Sequence, residues 1–98
     1  MGFKAQAARP KTVCLAEMLI EKQLRQRIRA ILQKERSKMR MTQEDIAERI
    51  GISATFYGRL ERGEALPSVE TLYAITTVLE ISADYLLGLA THRKQSRS

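Results

Sequence analysis

Few residues in this 98-residue chain have the types and spacing that bond-making chemistry needs. The single histidine, His92, and the single cysteine, Cys14, lie at opposite ends, so there is no metal-ligand spacing and no Cys–His pair. Glu44, Asp45 and Glu48 fall along one helix and read as a solvated face, and no glycine-rich phosphate loop is present. The chain is therefore read as non-enzymatic, with no cofactor and no metal. Recognition chemistry is better supplied. Arg59 carries a planar guanidinium that can donate two parallel hydrogen bonds to guanine O6 and N7, although a phosphate contact or a solvated charge would suit it too. Ala54 and Thr55 bring methyl groups that suit thymine, a weaker discriminator. Thr55, Gly58 and Arg59 share one exposed helical face in this reading. Gln43 opens a helix, where free N–H groups and the positive end of the dipole attract a phosphate.

The elements that must position these groups are legible in residues 43–62. Ile46, Ala47 and Ile50 occupy one face of a helix. Gly51 ends it, since glycine reaches the left-handed conformation without a Cβ clash. Ile52 tucks under the turn, and Ser53 is a good N-cap for a second helix whose inward face is Tyr57 and Leu60. Ala47 is small where the two helices must cross. A turn this short holds the pair at a steep angle, the geometry of a helix-turn-helix.

The rest of the chain divides around that motif. Residues 1–26 form a flexible start and a helical extension, residues 27–88 the domain containing the motif, and residues 89–98 a basic tail. From Thr12, a possible N-cap, to about Lys38 there is neither Gly nor Pro, and Ile20, Leu24, Ile28, Ile31 and Leu32 make a stripe. One long helix, or two with a hinge, satisfies this. Thr42 caps the next helix, Gly63 stops the second motif helix, and Ser68 caps a helix with inner face Val69, Leu72, Ile75, Val78 and Leu79. Ser82 caps a short last helix closed by Gly88. Nothing reads as a strand, so the fold class is all-α with five helices.

The net charge of +6 is unevenly placed. Residues 1–40 carry eleven Lys and Arg against three Glu, whereas residues 41–90 carry three Arg against eight acids. A basic balance favours a polyanion, but the motif itself is acidic, so specific contact must come from a few well-aimed groups. No apolar run approaches the ~18 residues that would span a bilayer, no secretory signal is seen, and a lone cysteine fits a reducing compartment. A cytoplasmic protein with no membrane partner is expected.

Residues 27–88 resemble the phage-repressor/Cro, or xenobiotic-response-element, family of helix-turn-helix regulators. The resemblance rests on Met41-Thr42-Gln43-Glu44-Asp45-Ile46-Ala47, Ile50-Gly51-Ile52-Ser53, Leu60-Glu61-Arg62-Gly63, Pro67-Ser68-Val69-Glu70-Thr71-Leu72 and Ile81-Ser82-Ala83-Asp84-Tyr85-Leu86-Leu87-Gly88. It implies a lambda-repressor-like DNA-binding domain. In that frame Gln43 clamps the DNA backbone, and Thr42 contacts the same phosphate or simply caps its helix. Ser53, Ala54 and Thr55 fall where the family inserts side chains into the major groove, with Arg59 one turn on. Phe56 presses on a sugar or a thymine methyl, or lies half-exposed without consequence. Arg62 reaches a phosphate, and Tyr57 packs in the core. The resemblance also implies a buried structural ion pair between Arg36 and Glu61. Glu35 stands where relatives often carry an apolar residue.

The function this supports is a sequence-specific regulator of transcription that binds double-stranded DNA as a homodimer on a pseudo-palindromic operator, of repressor or restriction-modification controller type. The alternative is an antitoxin-type or polymerase-contacting interaction module on the same fold. The N-terminal helix, with its stripe, could seal a dimer, bind a partner helix or simply lengthen the core, and dimerisation is the favoured role. The last helix, with Tyr85, Leu86, Leu87 and Leu89, is the other candidate dimer surface.

Overall fold

The computed structural model describes residues 11–89, with side chains from Glu17 onward. The expected flexible start, the basic tail, His92 and the Cys14 side chain lie outside the described residues. Five helices follow in order: α1 (Lys11–Met39), α2 (Gln43–Ile50), α3 (Ala54–Glu61), α4 (Val69–Leu79) and α5 (Ala83–Leu87). No strand occurs among the described residues.

α1 is one unbroken helix of 29 residues. With no Gly or Pro to interrupt it, helix formers run through the point where a hinge was conceivable. Thr12 lies inside it and does not cap it, and the expected boundary at residues 26/27 falls within it. At 1.5 Å per residue α1 is roughly 43 Å long, which accounts for the 47 Å long axis of the molecule.

Each shorter helix is bounded by its own chemistry. Thr42, Ser53, Ser68 and Ser82 all sit in extended conformation and accept the backbone N–H three residues on, from Asp45, Phe56, Thr71 and Tyr85 respectively. At α2 the cap is reciprocal, since Asp45 Oδ2 also accepts the Thr42 N–H. Gly51 closes α2 at φ 93°, a conformation that costs a side-chain-bearing residue strain.

The core forms where α1 packs on α3 and α5, α2 on α3 and α4, and α4 on α5. Ile28, Ile31 and Leu32 of α1 meet Ile46, Ala47 and Ile50, Tyr57 and Leu60, Ile75 and Leu79, and Ile81, Tyr85 and Leu86. Ala47 is buried, and its carbonyl accepts from both Gly51 and Ile52.

Burial corrects the expectations for Val69 and for Tyr85 and Leu86, and it places Ile20 and Glu35. Val69 does not face inward: as the first residue of α4 it is 81% exposed, while Thr76 takes an inner position and its hydroxyl donates to the Tyr73 carbonyl. Ile20 is exposed because α1 runs past the end of the bundle, so only the C-terminal part of the stripe is core. Tyr85 and Leu86 are buried in the protomer, which leaves Leu87 and Leu89 as the apolar groups that α5 and its exit offer outward. Glu35 is buried, with the Lys38 ammonium 3.9 Å away, so α1 keeps a carboxylate inside its packed face.

Candidate nucleic-acid interface

α2, the Gly51–Ser53 turn and α3 form a rigid unit because their inner faces share the core. Tyr57 and Leu60 point inward from α3, so the other side of that helix is turned to solvent. Ser53, Thr55 and Arg59 are exposed there, and Ala54 and Phe56 are half-buried against the core edge. Arg59 makes no hydrogen bond or ion pair among the described residues, so its guanidinium is available. Arg49, on α2, is exposed as well.

Gly58 departs from its expected place. It is buried, not part of an open face. A Cβ built on it would stand 3.0 Å from Arg62 Nη1 and 3.6 Å from Gln43 Oε1, so the Arg62 head lies across the glycine and closes it off. The absence of a side chain is what lets that guanidinium approach the helix. Arg62 in turn is held by Glu64: Nε donates to Oε2 at 2.9 Å and Nη2 to Oε1 at 3.2 Å. The paired hydrogen bonds raise the Arg62 pKa and lower that of Glu64.

Thr42 is exposed at the start of α2, with its hydroxyl committed to the cap. Gln43 is half-buried, and its amide donates to Glu61 Oε1 at 2.9 Å. Glu44 and Asp45 in the same turn complement the helix dipole.

Beneath this surface lies a polar hub. Arg36 donates through Nε to Glu61 Oε2 and through Nη2 to Oε1 at 3.1 Å, and its Nη1 donates to the Met41 carbonyl. The Tyr57 hydroxyl donates to Glu61 Oε2 at 2.8 Å, and Gln33 donates to the Glu61 carbonyl at 2.7 Å. Burial pushes the Glu61 carboxyl up, but the hydrogen bonds from Arg36, Gln43 and Tyr57 outweigh it and hold the net value below the ordinary one. Burial, then the carboxylate beside it, raises the Tyr57 phenol, so it stays a donor. The hydrogen bond to Glu61 likewise raises Arg36.

Three side-chain arrangements escaped the sequence reading: Gln43 on Glu61, Tyr57 on Glu61, and Glu64 on Arg62. The i, i+4 spacing of Tyr57 and Glu61 was a usable signal. The other two join residues whose proximity depends on how α2 and α3 pack and on how the chain leaves α3. On the far side of the molecule, Arg27 stacks over the Tyr85 ring at 5.0 Å and donates to the Tyr85 carbonyl, fastening α1 to α5.

Comparison with known proteins bears on this geometry. The helix-turn-helix family model matches residues 32–86, more than half of the chain. The chain is 44% identical over 62 residues to the cryptic phage CTXphi transcriptional repressor RstR of Vibrio cholerae, covering 63% of this chain and 55% of that protein. It is 38% identical over 63 residues to the HTH-type transcriptional regulator YqaE of Bacillus subtilis, covering 64% of this chain and 54% of that protein. A third relative, the HTH-type regulator YazB of the same organism, is 47% identical over 45 residues, 46% of this chain and 65% of that protein. The chain thus spans about half the length of the first two curated relatives. No solved structure matches it. Among the described residues no helix is long and apolar enough to cross a membrane. A helix-turn-helix unit with α3 turned outward, together with these matches, identifies the chain as a member of the helix-turn-helix family of phage-repressor-like transcriptional regulators.

Proposed function

We propose that the protein binds double-stranded DNA sequence-specifically as a homodimer and represses transcription by occupying a pseudo-palindromic operator. The observation that carries this reading is α3. Its inner residues brace it against the core, while Ser53, Thr55 and Arg59 stand outward on a helix narrow enough to enter a major groove. Thr42, Gln43 and Arg62 lie at the flanks and serve the backbone, which fixes register without reading sequence. Ala54, Thr55 and Phe56 offer apolar contact to thymine methyls or sugars. Gly58 acts indirectly, by making room for Arg62. The domain at 27–88 carries these contacts, with residues 1–26 as an extension and 89–98 as a basic tail that adds long-range attraction. The relative RstR, named a transcriptional repressor, points the same way.

The dimer reading rests on the outer part of α1. Met18, Leu19 and Ile20 are each more than half exposed, as is Leu89, and Ile20, Leu24, Leu87 and Leu89 line an apolar groove between α1 and the end of α5. Successive exposed large apolar residues on a helix signal an interaction surface, and a second copy of this chain is its occupant here. Two α3 helices would then address half-sites about one helical turn, roughly 34 Å, apart.

Selection of bound sites from random duplexes, with mass measured in solution, tests both parts. A two-fold symmetric consensus and a dimer mass are expected. A bound site with no symmetry, from a monomeric protein, would refute the operator model and leave the α1 groove to another protein.

A further inference from the structure

Glu64 is positioned by backbone geometry. α3 closes with Gly63 at φ 76°, the Gly63 N–H on the Leu60 carbonyl at 3.1 Å and the Glu64 N–H on the Arg59 carbonyl at 2.8 Å. That pair of hydrogen bonds is a Schellman closure, and it fixes where the Glu64 side chain starts. The carboxylate meets Arg62 fork to fork, while the third guanidinium nitrogen, Nη1, rests over Gly58. Arg62 first, and Arg59 through space, hold the Glu64 carboxyl below its ordinary range, so this one acid stands within electrostatic reach of both arginines of the α3 surface. Both members of the pair are about half exposed. Such pairs add little to stability, so the consequence of this one lies in the charge it withholds.

We propose that Glu64 is an internal competitor for the DNA backbone: it occupies the guanidinium edge of Arg62 that a phosphate would take. The proposal rests on duplex DNA being the ligand of the α3 surface. A carboxylate that accepts two guanidinium hydrogen bonds reproduces what a phosphate does at the same fork. While Glu64 holds Arg62, the arginine contributes no net charge toward a duplex and releases no counterion. After the exchange, the freed carboxylate faces a polyanion, which weakens any complex whatever its base sequence. Complexes held by backbone contacts alone lose the largest share of their affinity, and this favours discrimination.

Glu64→Gln keeps the shape of the side chain and removes its charge. Binding to a short random-sequence duplex, measured by fluorescence anisotropy across a salt series, should tighten about three- to tenfold at low salt. The slope of log K against log salt should steepen by about 0.9, one added phosphate contact. In the double variant Glu64→Gln/Arg62→Gln that steepening should vanish, because the contact belongs to Arg62. Wild-type affinity and slope in E64Q, with the wild type binding measurably, would overturn the competition and leave the DNA reading standing. Weaker binding by E64Q would overturn it too, by showing that Glu64 aims Arg62 at the duplex. If neither protein binds any duplex in dilute buffer, the DNA reading falls and the competition with it.

Discussion

The Gln43 side-chain amide donates to the same Glu61 oxygen, Oε1, that accepts from Arg36 Nη2, at 2.9 and 3.1 Å. One carboxylate therefore ties the first turn of α2 and the last turn of α3 to α1. The group proposed to hold the DNA backbone, Gln43, is oriented by the ion pair that braces the fold. Its position relative to α3 does not depend on surface side chains.

Arg36→Met strands Glu61 in the core with only Gln43 and Tyr57 as side-chain donors. A cost of about 3–5 kcal/mol is expected in urea denaturation, whereas the double replacement Arg36→Met/Glu61→Leu should cost distinctly less. Equal losses in the single and double variants would show that the pair itself, and not the orphaned charge, is what matters.

The depressed Glu61 pKa has a definite sign in stability. A carboxyl lower in the folded than in the unfolded chain stabilises fully above its ordinary value, near pH 4.5, and that stability is lost as pH falls through the folded value. Wild-type unfolding midpoints should therefore drop on acidification below about pH 4.5. Glu61→Gln, less stable at neutral pH, should show a shallower drop over the same window. Parallel acid limbs in the two proteins would contradict the assignment.

Arg59 is exposed and holds nothing else in place, so Arg59→Ala should change stability by less than ~0.5 kcal/mol. Its proposed bidentate base contact should cost about 1–3 kcal/mol of specific affinity and relax preference at one operator position. Random-site selection with the variant reads this directly, and an unaltered consensus would remove Arg59 from sequence readout.

Gly58→Ala separates stability from binding. A helical Gly-to-Ala change adds about 0.5–1 kcal/mol of stability; the new Cβ crowds the flexible end of Arg62, which can swing away, and comes into ordinary contact with Gln43 Oε1. A higher melting temperature with weaker duplex binding is expected. Unchanged binding would show that the Arg62 position over Gly58 is irrelevant to DNA.

Removing residues 1–10 and 90–98, which hold several of the basic residues, should flatten the salt dependence of binding. The slope should fall by about 0.9 for each phosphate that the protein no longer neutralises. An identical slope in the trimmed protein would exclude the ends from the interface.

Local rules were enough to reach the elements. Thr42, Ser53, Ser68 and Ser82 cap where short polar side chains precede apolar periodicity, and Gly51, Gly63 and Gly88 close helices at positive φ, because both devices act within a few residues of chain. The inward positions of α2 and α3 follow from helical period alone. Position relative to another helix is a different matter. Val69 has the right period for the core, yet it lies at the exposed first turn of α4. Gly58 has the right period for an open face, yet Arg62, folded back across it and held by Glu64, closes it. Arg36 and Gln43 likewise reach Glu61 from other helices, so their convergence exists only once the helices are packed, whereas Tyr57 meets Glu61 within α3. Hydrogen-bond networks of that kind depend on distances across the core, and no spacing along one helix encodes those.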